Sequence, residues 1–118
     1  MANEFQLYHN PRCSKSRQAL ALLNERGYSP EIIEYLVTPP DVAELKQLLA
    51  HLGLKPREIL RKKEKEYLEL GLDDESLTDD QILQAITKAP KLLERPILVH
   101  GDRAAIGRPT ENLLPLLD

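Results

Sequence analysis

Phe5-Gln6-Leu7-Tyr8-His9-Asn10-Pro11-Arg12-Cys13-Ser14-Lys15-Ser16-Arg17 is the stretch from which the fold is read. Phe5 to Tyr8 is a short apolar run of β-formers closed by the loop His9-Asn10-Pro11, and it predicts a strand. A helix is expected to start just after Cys13. Ser14 or Ser16 is the candidate cap, Ala19, Leu20, Leu22 and Leu23 supply the buried side, and Gly27 is a suitable stop. Glu31 to Val37 is rich in branched residues and bounded by Pro30 and Thr38-Pro39-Pro40, which predicts a second strand. Strand, helix and strand within this length imply a parallel, right-handed βαβ unit.

Outward from that unit, the middle of the chain turns helical. Thr38 is expected to cap a helix with Pro39 at its first position, on which Val42, Leu45, Leu49 and Leu52 recur at helical spacing until Gly53. A second helical stretch is expected from about Pro56 to Leu70, stopping at Gly71. Thr78 with Gln81 forms a capping box, and Ile82, Ala85, Ile86 and Ala89 make the apolar stripe of a helix that ends before Pro90. Ile97-Leu98-Val99 reads as a buried strand, Gly101-Asp102 as a two-residue hairpin turn into Arg103 to Ile106, and Thr110 to Leu117 as a short final helix that Pro115 is expected to weaken or curtail. The order predicts an α/β fold: a small mixed sheet with helices on both faces and a helical insertion.

Composition narrows the function. The 118 residues are one domain's worth, and the formal charge of −3 comes from 16 Lys and Arg against 19 Asp and Glu. With 42% hydrophobic residues the chain is too apolar for disorder, yet no apolar run is long enough to span a bilayer, so neither a membrane nor a disordered state is expected. An acidic balance and 4% aromatic residues without Trp argue against a nucleic-acid partner. Met1-Ala2-Asn3-Glu4 lacks the basic and apolar regions of a secretory signal, so the expected compartment is a reducing cytoplasm. The single cysteine, Cys13, excludes an intramolecular disulfide, a Cys-x-x-Cys pair and a thiolate-rich zinc site, and no metal is expected.

Cys13 falls where a strand hands over to a helix. The helix N-terminus supplies partial positive charge and free N–H groups, Arg12, Lys15 and Arg17 add formal charge, and the hydroxyls of Ser14 and Ser16 can donate hydrogen bonds. Such settings lower a thiol pKa from roughly 8.5 into the range of about 3.5 to 7.5. The same features bind oxyanions, so a nucleophile and an anion cradle coincide in one loop. A buried inert thiol is the common fate of a lone cysteine, but three basic residues within four positions of Cys13 do not suit an apolar pocket. His9 can bond the thiol or shuttle a proton, and an ordinary polar loop histidine fits equally well. Arg61, within Arg61-Lys62-Lys63, reads on its own as part of a solvated helix face. Arg95 and Arg108 each precede a proline beside a predicted strand end, where side chains of a mixed sheet converge, and guanidinium forks match tetrahedral oxyanions.

The ordered set Tyr8-His9-Asn10-Pro11-Arg12-Cys13-Ser14-Lys15-Ser16-Arg17, Tyr35-Leu36 with Pro39-Pro40, Leu60-Arg61-Lys62-Lys63, Tyr67 with Leu70-Gly71-Leu72, Leu77-Thr78-Asp79-Asp80, Leu93-Glu94-Arg95-Pro96-Ile97-Leu98-Val99 and Gly107-Arg108-Pro109 resembles the glutaredoxin-coupled arsenate reductase (ArsC) family, to which the regulator Spx is related. The loop Arg12-Cys13-Ser14-Lys15-Ser16 is the form of a sister group within it. The resemblance implies a thioredoxin-like fold in a single domain over 1–118, with a core from 4–37 and 92–118 and a helical insertion over 38–91. It implies that Cys13 is the nucleophile and that Arg61, Arg95 and Arg108 hold the oxyanion, which replaces the solvated-face reading of Arg61. His9, Ser16 and Arg17 are expected to support the loop, and Pro96 matches the fold's cis-proline.

The implied activity is reduction of arsenate to arsenite, with no bound cofactor and with glutathione as co-substrate. Because the chain has no resolving cysteine, glutathione attacks next and glutaredoxin or another small thiol donor frees the enzyme. Two alternatives stand beside it. In one, Cys13 exchanges with glutathione mixed disulfides as a monothiol oxidoreductase; in the other, it serves as a redox sensor in an Spx-like interaction module. Spx-like proteins carry Cys-x-x-Cys here, whereas this chain has Asn10 in the first position.

Overall fold

Alternation along the strands decides which side chains meet. The computed structural model describes residues 5–117; Met1 to Glu4, on which the expectation of no secretory signal rests, and Asp118 lie outside the described residues. Four strands, β1 (Phe5–Tyr8), β2 (Glu31–Ile33), β3 (Ile97–His100) and β4 (Arg103–Ile106), form one sheet in the order β2-β1-β3-β4. β1 runs parallel to β2 and antiparallel to β3, and β4 is antiparallel to β3. Leu7 faces Leu98 across the β1–β3 pair, so these two and Phe5 project from one face. Helix α1 (Ser14–Glu25) brings Ala19 and Leu23 to that face, and the final 3-10 helix (Thr110–Leu117) brings Leu113, Leu116 and Leu117. Phe5 stacks on His100 at 4.1 Å. Tyr8, Ile97 and Val99, which alternate with that set, are buried as well. A βαβ half followed by a hairpin and a terminal helix is the thioredoxin-like architecture expected from the sequence.

The hairpin turns at Gly101, whose φ of +64° at the first central position suits a residue without Cβ. Pro115 lies inside the final helix, which is 3-10 throughout. The Arg95–Pro96 peptide is cis, as the resemblance implies, and so is Arg108–Pro109.

The chain divides into two compact units, the sheet unit over residues 5–38 and 95–117 and a helical unit over Pro39–Glu94. The helical unit holds α2 (Val42–Leu52), α3 (Lys65–Glu69) and α4 (Asp79–Lys88), with 3-10 turns at Pro56–Ile59 and Pro90–Leu92. Leu45 and Leu49 of α2 and Ile82, Leu83 and Ile86 of α4 are buried with Ile59 and Leu92. Thr78 caps α4 through the expected box with Gln81. Among the described residues no helix is long and apolar enough to cross a membrane.

Four local expectations are corrected. The second strand ends at Ile33 rather than Val37, because the N–H groups of Val37 and Thr38 both turn back to the Glu34 carbonyl. Asp41, not Thr38, caps α2, its carboxylate accepting from the Glu44 N–H at 2.8 Å. Neither Ser14 nor Ser16 caps α1: Cys13 takes the N-cap position and no side chain caps it. The stretch Pro56 to Leu70 is not one helix. Leu60 bridges Leu93, the Arg61 N–H donates to the Leu92 carbonyl and the Glu94 N–H to that of Ile59, so pairing with a distant segment replaces helical bonding.

Candidate active site

Cys13 has extended backbone (φ −95°, ψ 123°) at the start of α1, which leaves the first helical N–H groups free to face its sulfur. The turn that sets this up is built by Asn10. Its carbonyl accepts the Cys13 N–H at 2.9 Å, its Oδ1 accepts the Arg12 N–H at 3.0 Å, and its own N–H donates to Ser16 Oγ at 3.0 Å. Sequence reading placed Asn10 in a loop and missed this role; an Asn that precedes a proline, and whose side chain can bond the backbone two residues on, was the available signal. Arg17 braces the same loop by donating from Nη1 to the Pro11 carbonyl at 2.9 Å.

The thiol is free and 9% exposed. Burial on its own pushes Cys13 up. The Ser16 N–H, the positive charge of Arg95, the Lys15 N–H and a hydrogen bond from the Arg95 side chain act against burial and prevail, so the thiol is held below its ordinary value. Arg108 Nη2 also points at Cys13 Sγ, at 3.6 Å, while its Nε donates to the Arg95 carbonyl at 2.6 Å. Asn112 Nδ2 donates to the Arg108 carbonyl at 3.1 Å. The sheet unit therefore brings Cys13, Arg95 and Arg108 together, from three separate segments.

His9 and Ser16 are both buried and pair with each other within the same loop. His9 Nδ1 lies 2.5 Å from Ser16 Oγ. Burial lowers the His9 pKa, the Arg17 charge adds to that, and Glu34 opposes it, which leaves a neutral imidazole favoured. A neutral ring that accepts at Nδ1 from the Ser16 hydroxyl, whose oxygen in turn accepts the Asn10 N–H, satisfies all three groups. The Ser16 hydroxyl is thus committed to the loop, and the backbone N–H of Ser16 is what favours the thiolate.

Arg61 lies in the helical unit. Its Nη1 pairs with Glu94 at 3.0 Å and its Nε with Glu64 at 3.3 Å. These two carboxylate partners were not anticipated; the charged run had hidden them, and Glu94 reaches Arg61 through the Leu60–Leu93 bridge rather than through sequence proximity.

A thiol held low and two guanidinium groups around it can attack and hold an electrophilic oxyanion. Comparison with known proteins points the same way. The chain matches the ArsC family over residues 8–116. It is 51% identical over 115 residues to an arsenate reductase of Neisseria meningitidis serogroup A, covering 97% of this chain and 98% of that one. It is 43% identical over 112 residues to an arsenate reductase of Haemophilus influenzae, covering 94% and 97%. Among solved structures, the arsenate reductase from Vibrio cholerae is similar with a TM-score of 0.94 at 48% identity, over 98% of this chain and 99% of that chain.

Proposed function

The chain belongs to the ArsC family, and from that premise we propose that it is an arsenate reductase that draws its electrons from glutathione and glutaredoxin. The observation that carries this reading is the approach of Arg108 Nη2 to within 3.6 Å of a thiol that its surroundings hold low. A nucleophile and a fixed cation side by side are what attack on a tetrahedral oxyanion requires.

In this reading the Cys13 thiolate attacks arsenic(V); an S–As bond forms and a protonated arsenate oxygen leaves as water. Arg95 and Arg108 neutralise the charge on the remaining oxygens. A glutathione thiolate then attacks Cys13 Sγ. The S–As pair passes to arsenic, arsenite leaves with arsenic(III), and Cys13 is left in a mixed disulfide with glutathione. A second thiol, delivered by glutaredoxin or another small donor, attacks the glutathione sulfur and returns Cys13 to its thiolate. Two thiols are oxidised to one disulfide for each arsenate reduced. With one cysteine in the chain, both reducing thiols come from outside. A reducing cytoplasm is the compartment that supplies them.

The test is arsenate-dependent oxidation of glutathione by purified protein in the presence of glutaredoxin. Cys13→Ser is expected to abolish it, and turnover retained by that variant overturns the proposal.

A further inference from the structure

Arg108 is held by its neighbours in a way that singles out the residue before it. Gly107 is buried at the end of β4, and its N–H donates to the Pro96 carbonyl at 2.9 Å. The next residue repeats the contact one position back, Arg108 Nε donating to the Arg95 carbonyl at 2.6 Å. Residues 107 and 108 thus dock on residues 95 and 96 through two successive carbonyls. That approach is possible because residue 107 has no side chain. A Cβ there would lie 3.0 Å from Pro96 Cγ and 3.2 and 3.3 Å from Leu113 Cδ1 and Cγ, inside the roughly 3.5–4.0 Å at which carbon atoms rest. Neither neighbour can give way easily, since the Pro96 ring is buried and Leu113 is fully enclosed in the core.

We propose that Gly107 is a positioning residue for the thiol site: its missing side chain lets the end of β4 close on Pro96 and Leu113, and that closure aims Arg108 at Cys13. The contact from Arg108 Nη2 to sulfur spans 3.6 Å, so a displacement of a few tenths of an ångström at residue 107 weakens it while leaving the sheet paired. Gly107 is needed for close approach, and its backbone is not in the left-handed region. The inference rests on Arg108 as the cation beside Cys13; it is tested on the thiol itself, so that it stands or falls separately from arsenate as substrate.

Cys13 is the one cysteine of the chain, so the pH dependence of iodoacetamide alkylation reports it alone. The set is wild type, Gly107→Ala, Arg108→Ala and the double variant, each checked for folding by circular dichroism. Gly107→Ala is expected to raise the alkylation midpoint by about half a pH unit or more, a part of the shift that a cation at this range produces. In the Arg108→Ala background the same substitution is expected to add nothing, which is the mark of an effect transmitted through Arg108. A folded Gly107→Ala with the wild-type midpoint overturns the proposal, as does a shift that persists undiminished without Arg108. Should Gly107→Ala not fold, Leu113→Val removes Cδ1, the nearer of the two Leu113 atoms in the way, and Gly107→Ala is then compared with Gly107 in that background. The Pro96 ring still stands in the way there, so a raised midpoint is expected and an unchanged one overturns the proposal.

Discussion

At Cys13 opposing effects act on one atom: burial raises the thiol, while the Ser16 N–H, the Arg95 charge, the Lys15 N–H and the Arg95 hydrogen bond together lower it further than burial raises it. A group whose folded pKa lies below its unfolded one adds stability that is complete above the unfolded pKa and is lost as pH falls through the folded value. Urea unfolding of wild type and Cys13→Ser between about pH 5 and pH 9, a span that brackets lowered and ordinary thiols, is expected to show wild type gaining relative to the variant as pH rises; a constant difference contradicts this. Ser16→Ala leaves the part-buried Asn10 N–H and the buried His9 Nδ1 without their shared partner, and is expected to destabilise by about 1–3 kcal/mol in the same assay. Arg108→Ala is expected to lower kcat/KM for arsenate by about 10²-fold or more, the usual cost of one lost oxyanion donor. Arg108→Lys should recover little of this, because one ammonium cannot serve both the Arg95 carbonyl and the Cys13 sulfur. Cys13 and its helix start were legible because a strand, a turn and a basic run lie next to one another in sequence. The partners of Ser16 were not, because a hydroxyl near a helix start reads as a cap, and only the fold-back of Asn10 shows that its oxygen is already taken.

Among the elements, local signals succeeded where the bonding is local. The Thr78–Gln81 box, the Gly101 turn and the apolar run of β3 each lie within a few residues of what they specify. The reading of Pro56 to Leu70 as one helix failed because Leu60, Arg61 and Ile59 bond to residues 92–94, a partner that no window of helical periodicity contains. At the start of α2 the competition was between two good caps, and Asp41 won because the helix begins at Val42. Asp41→Ala is therefore expected to cost about 1 kcal/mol in unfolding free energy, and Thr38→Ala to fall within about 0.5 kcal/mol of wild type. The reverse order in urea titrations contradicts the assignment.

For the molecule as a whole, the net charge of −3 concealed a local excess of cations at one thiol, and the single cysteine made external thiols a requirement of the proposed chemistry. A tetrahedral oxyanion bound at that site stabilises the folded protein by mass action, by about 2.7 kcal/mol at a concentration one hundred times its Kd. Arsenate is expected to raise the melting temperature of wild type and to do so much less for Arg108→Ala. The mixed sheet and the family were legible from motifs in sequence order; Glu94 as a partner of Arg61 and the close packing of Gly107 on Pro96 and Leu113 were not, since both arise only where the chain folds back on itself. The central claim, that Cys13 passes electrons from glutathione to arsenate, is tested most directly by the intact mass of the protein after incubation with glutathione, with and without arsenate and without glutaredoxin. One glutathione on Cys13 that forms only when arsenate is present is the predicted result; an adduct that forms equally without arsenate, or none with it, contradicts the account.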